Sequence, residues 1–108
     1  MKTLGLIGGL SWHSTADYYR IINEEIQRRI GGLNSATLLL YSLNFQEIID
    51  LQNRNEMNVI QDKLTHAGHV LKAGGAEAIV LCANTVHLFA DAVQAAVSLP
   101  LVHIVDAT

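Results

Sequence analysis

The chain contains one cysteine, one proline and no run of basic residues. A lone cysteine excludes an internal disulfide, so burial alone must hold the fold together. The apolar run in the opening segment MKTLGLIGG is too short for a secretory leader. A reducing cytoplasm is therefore the expected compartment. No apolar stretch reaches the ~18 residues that a bilayer span requires, so no membrane partner is expected. A formal net charge of −3 with no basic cluster lacks the electrostatic footprint of a nucleic-acid binder. Only 16% of residues are charged while 50% are hydrophobic, which excludes a disordered chain. A length of 108 residues suits one compact domain with its own core.

Two nucleotide signatures are missing as well. GLIGGLSWH supplies Gly5, Gly8 and Gly9 at the wrong spacing for G-x-G-x-x-G, no acidic residue closes the second strand, and no P-loop lysine follows. What remains is a regular alternation of short apolar runs and amphipathic segments. Thr3–Ile7 reads as a buried strand ending at Gly8-Gly9. A helix is predicted from Ser14 to Ile30, with Ala16, Tyr19, Ile22, Ile26 and Ile30 on its apolar face and Gly31-Gly32 as its stop. Thr37–Leu43 reads as a second buried strand and Gln46–Gln52 as a brief helix. A longer helix follows over Glu56–Lys72, with Ile60, Leu64, Ala67 and Leu71 at spacings that place them on one face. Ala78–Cys82 is a third strand, Thr85–Ala96 a helix with Asn84 as its N-cap, and Leu101–Ile104 a fourth strand. The order βαβααβαβ with short loops predicts an α/β fold: a four-stranded parallel sheet in three layers, with helices on both faces.

Ligands of such sheets bind beyond the carboxyl ends of the strands. This brings together Gly8–Ser11, Leu43–Gln52 and Cys82–His87. The first loop presents backbone amides before a helix, suited to a carboxylate or phosphate, and serves equally as a plain turn. Asn84 and Thr85 stand at a strand-to-helix junction where amide and hydroxyl groups converge; helix capping alone also accounts for Asn84. Cys82 shares that junction, which favours a thiolate base or nucleophile. The competing reading makes Cys82 a packed strand-end residue, with its side chain opposite in direction to that of Leu81. His66 and His69 lie three apart on a helix without a third metal ligand, and read as solvated surface. His87 sits in the first turn beside the junction. Trp12, Tyr18 and Tyr19 read as core or rim aromatics.

The stretches GLIGGLSWHSTADYYRIINEEI, GGLNSATLLLYSLNF, IVLCANTVH and LPLVHIVDAT, in this order along the whole chain, resemble the aspartate/glutamate racemase family. The resemblance implies a cofactor-independent enzyme of two similar α/β domains, with the active site between them. One thiol from each domain serves as acid and base on opposite faces of the substrate Cα, because inversion needs a base on one side and an acid on the other. It also implies a small acidic amino acid as substrate and a homodimer as the assembly. The residues carried over for substrate binding are Leu10, Ser11, Gln52, Ala83, Asn84 and Thr85. The family's thiol slot is occupied here by Ala83, with Cys82 one position earlier as the first-domain catalytic candidate. In this the sequence is similar to a side branch whose dependable thiol comes from the second domain. No G-C-T-E type motif is present, so residues 1–108 read as the N-terminal half, with a missing second racemase domain as partner. The isolated chain is expected to be inactive. The alternative reading is a catalytically incompetent module that binds carboxylates or self-associates.

Overall fold

The computed structural model describes residues 2–82 and 89–102. Its elements follow the order β1 (Leu4–Gly8), α1 (Trp12–Ile30), β2 (Leu38–Ser42), α2 (Phe45–Asn53), α3 (Met57–Ala73), β3 (Ala78–Leu81), α4 (Ala90–Val97) and β4 (Leu101–Val102). All strand pairs are parallel, in the spatial order β2-β1-β3-β4. Parallel neighbours need crossover connections, and the helices supply them. β1 and β3 lie in the centre, and their unbroken apolar character matches burial on both faces.

Alternation along these two strands divides the core. Ile7, Ile79 and Leu81 point to one face, where α2, α3 and α4 pack through Ile48, Leu51, Ile60, Leu64, Ala67, Leu71, Val93 and Val97. Leu6, Val80 and Cys82 point to the other, against Tyr18 and Ile22 of α1. The result is the three-layer α/β fold expected, with one helix on one side and three on the other. The α3 face predicted from spacing is the face that is buried.

Three expectations are corrected. β2 was expected to be buried but forms a sheet edge, with Leu39 and Leu40 exposed; an apolar run does not distinguish a central strand from an edge. On α1 the buried residues are Thr15, Tyr18 and Ile22, whereas Ala16 and Tyr19 of the predicted face are exposed. Of the two readings of Trp12, core or rim, the core one falls, since it is 68% exposed at the first position of α1. Most predicted boundaries lie within one residue of those observed, α1 starting two residues earlier. The start of the predicted fourth helix, residues 85–88, and Ile104 of the fourth strand lie outside the described residues, as does the Asn84 cap. Among the described residues no helix is long and apolar enough to cross a membrane.

Candidate functional site

The carboxyl ends of β1, β2 and β3 bring their following segments to one end of the sheet. β1 leads into Gly8–Ser11, and this loop is tied down from both sides. The N–H of Leu43, just past β2, donates to the Gly8 carbonyl at 2.8 Å. Gly9 has a φ of +79°, and a Cβ there would collide with the Leu43 backbone, so glycine is required on both counts. The second tie is Thr15, one turn into α1. Its Oγ1 accepts from the Gly9 N–H at 2.9 Å, and the same hydroxyl lies 3.4 Å from the Ser11 carbonyl, to which it donates. A Cβ on Gly8 would approach Oγ1 to 2.7 Å, so the loop and the threonine fit only with glycine opposite.

These ties leave Ser11 in an uncommon state. It holds a φ of 71° as a non-glycine residue at the N-cap of α1, and its side chain makes no capping bond. Among the described residues its hydroxyl has no hydrogen-bond partner, and its backbone conformation is of the kind that clusters at functional sites. The first-turn N–H groups of α1 have no intrahelical acceptor, and no acidic residue sits in that turn to satisfy the positive end of the helix. Leu10 is 2% exposed, its side chain anchored in the core with α2 and α3, so its contribution at the surface is its backbone.

β2 leads through Asn44, whose side chain accepts from the Gln46 N–H at 3.1 Å and caps α2. Gln52 is exposed in the last turn of α2, and among the described residues its side chain has no hydrogen-bond partner. A groove of about 490 Å³ opens at the same end of β2, lined by Ser42, Asn44, Glu47, Lys63 and His66 among others. Across it Lys63 approaches Glu47 at 3.5 Å, and His66 meets Tyr41 edge-on at 6.2 Å. His69 is exposed on α3.

β3 leads to Cys82, held by its N–H to the Ile7 carbonyl at 3.0 Å. Its thiol is fully buried against Leu6, Val80, Tyr18 and Ile22, and lies 4.0 Å from the Val80 carbonyl. Burial pushes the thiol up to about 12, so it is protonated at neutral pH. The neighbouring Tyr18 hydroxyl is raised too, by burial first and then by Cys82. Ala83, Asn84, Thr85 and His87 lie outside the described residues.

Of the site residues read from sequence, the structure thus describes Leu10, Ser11, Gln52 and Cys82, the first two on one loop. Two supporting residues went unread: Thr15 and Asn44. The signal for Thr15 was a hydroxyl one turn after a Gly-Gly loop; for Asn44 it was an asparagine just ahead of a helical run.

Residues 7–108 match the family model for Asp/Glu/hydantoin racemases. A putative Asp/Glu racemase from Yersinia pestis superposes with a TM-score of 0.93 at 51% identity, over 100% of this chain and 47% of that one. An aspartate racemase homologue from Pyrococcus horikoshii OT3 superposes with a TM-score of 0.87 at 37% identity, over 99% of this chain and 46% of the other. The present chain therefore spans less than half the length of either solved relative. With a family match over nearly its full length and a shared fold at these identities, the chain belongs to the Asp/Glu/hydantoin racemase family.

Proposed function

We propose that this chain supplies the first half of the substrate site of a cofactor-independent racemase for an acidic amino acid, working in the cytoplasm with a second domain. The reaction is two-base proton transfer: one group removes the Cα proton and another returns one to the opposite face. The observation that carries the reading is the Gly8–Ser11 loop. It is fixed by Thr15 and Leu43, and it ends in Ser11, whose side chain makes no capping bond, at a helix start that has no acidic residue. Such a loop offers preset donors to a substrate carboxylate, whose negative charge grows as the Cα proton leaves. In this reading Leu10 and Ser11 donate through the backbone and Gln52, Asn84 and Thr85 through side chains, with Ala83 counted among the substrate-binding positions by resemblance. The names of the Yersinia and Pyrococcus relatives support an acidic amino acid as substrate.

Cys82 is the one thiol available as first-domain acid or base, but its burial and raised pKa favour a packing role. Ala83 has no proton to give. Both observations support a second reading, in which the chain alone binds a carboxylate or associates with itself without turnover. Titrating labelled chain with L-aspartate, D-aspartate and L-glutamate separates these readings from a third, in which the loop is only a turn. Shifts confined to the amides of Ser11, Gln52, Asn84 and Thr85 are expected. No shift at millimolar ligand would refute a preformed half-site.

A further inference from the structure

Thr15 grips the site loop at both of its ends. Its Oγ1 accepts from the Gly9 N–H at 2.9 Å where the loop begins. Where the loop closes, the Ser11 carbonyl accepts twice from Thr15, from the N–H at 3.3 Å and from the hydroxyl at 3.4 Å. The residue is 7% exposed, and its side chain has little freedom to turn. A β-branched side chain is stiff about χ1, and here both Oγ1 and Cγ2 stand 2.7 Å from the place a Cβ on Gly8 would take. Between the two grips lie the N–H groups of Leu10 and Ser11, and neither has an acceptor among the described residues. Ser11 meanwhile holds a φ of 71° with a ψ of 109°, a combination outside the regions that L-residues commonly occupy. A serine stays there only where its surroundings over-determine it. Among the described residues, the hydrogen bonds that reach Ser11 all come from Thr15.

We infer that Thr15 is a positioning residue of the substrate site: by holding Ser11 at positive φ, it aims the Leu10 and Ser11 N–H groups at the substrate carboxylate. This rests on the half-site reading above and deepens it by naming what sets the donors. Rotation about the Ser11 N–Cα bond swings the peptide that carries the Ser11 N–H, so a Ser11 relaxed to negative φ turns that donor away. Preset donors meet a developing charge without reorganising, and a donor free to rotate loses that advantage. The hydroxyl is essential to this and the shape alone is not enough. Thr15→Val keeps the wedge over Gly8 but can neither accept from Gly9 nor donate to Ser11 through its side chain. Glycine at position 11 would make the grip dispensable, because glycine enters positive φ without a steric penalty.

Titrating labelled wild type, Thr15→Val, Thr15→Ser, Ser11→Gly and the Ser11→Gly/Thr15→Val double variant with L-aspartate tests this. The one-bond Cα–Hα coupling of Ser11, which separates positive from negative φ, is the second readout. Thr15→Val should bind about tenfold more weakly or worse while keeping its circular dichroism, and the Ser11 coupling should move to its negative-φ value. Thr15→Ser, which keeps the hydroxyl without the methyl that pins it, should lose only about threefold. In the Ser11→Gly background, adding Thr15→Val should cost less than about threefold, a rescue that a purely structural threonine would not show. Should Thr15→Val fail to fold, Thr15→Ser decides: unchanged affinity together with an unchanged Ser11 coupling overturns the inference. A wild type that does not respond to millimolar L-aspartate overturns both this role and the half-site reading. A wild type that binds, with a folded Thr15→Val that binds equally well or keeps the Ser11 coupling, overturns the role of Thr15 alone. So does a loss in Thr15→Val that persists in full beside Ser11→Gly.

Discussion

Thr15 is the one buried polar side chain among the described residues, and its hydroxyl is used twice. Thr15→Val keeps the shape but removes the acceptor, leaving the buried Gly9 N–H unpaired. The expected loss is about 1–3 kcal/mol in denaturant unfolding, with Thr15→Ser losing less. A valine that costs nothing would show that Gly8–Ser11 holds its shape by other means. Cys82 makes a pH prediction of defined sign. Its folded pKa of about 12 lies above the unfolded value, so its stabilisation is complete below about pH 9 and falls as pH rises toward 12. The wild type should lose up to about 1.4 kcal/mol per pH unit relative to Cys82→Ala over that window. Parallel stability curves for the two proteins would refute the assignment. The packed reading of Cys82 was open to the sequence, but its depth and the role of Thr15 were not. Hydrophobic periodicity takes no account of a hydroxyl, and the depth of a strand-end thiol depends on the helix laid over it.

At the scale of elements, α3 was readable and α1 was not, for one reason. The apolar residues of α3 form a single stripe, so spacing identifies the face. α1 carries two neighbouring stripes, and the buried one includes the polar Thr15 and the amphipathic Tyr18. The more uniformly apolar stripe, with Trp12, Tyr19 and Ile30, stays largely exposed. Which stripe faces the sheet is settled by the Gly9–Thr15 bond, a contact that spacing does not encode. The α3–α4 contact allows a prediction from two opposed magnitudes. Gly68→Ala would gain about 1 kcal/mol of helix propensity. Its Cβ, however, would stand 2.6 Å from Val97 Cγ2, a stiff β-branched side chain that is 1% exposed. Overpacking costs about 1–3 kcal/mol, so net destabilisation is expected. Thermal unfolding should also show that Val97→Ala relieves the clash, the pair losing less than the sum of its members; additive losses would sink this account.

For the molecule as a whole, the family match and the half-length coverage of the relatives set the decisive experiment. The chain alone should give no measurable inversion of aspartate or glutamate in a chiral assay, and mixing with a separately made second domain should restore it. Inversion by the chain alone, lost in Cys82→Ser, would overturn the half-site reading. The four-stranded parallel sheet was legible because short apolar runs separated by helices need crossover connections; the strand order and the edge position of β2 were not, because central and edge strands here share one composition. That topology also sets a timetable. β1, made before the other three strands of this sheet, pairs with β3 in the register Leu4↔Ala78, so the central ladder closes only after more than seventy further residues. A nascent chain leaving the ribosome can form β1 beside β2, but must hold the other side of β1 open until β3 emerges, which makes β3 the element that commits this sheet.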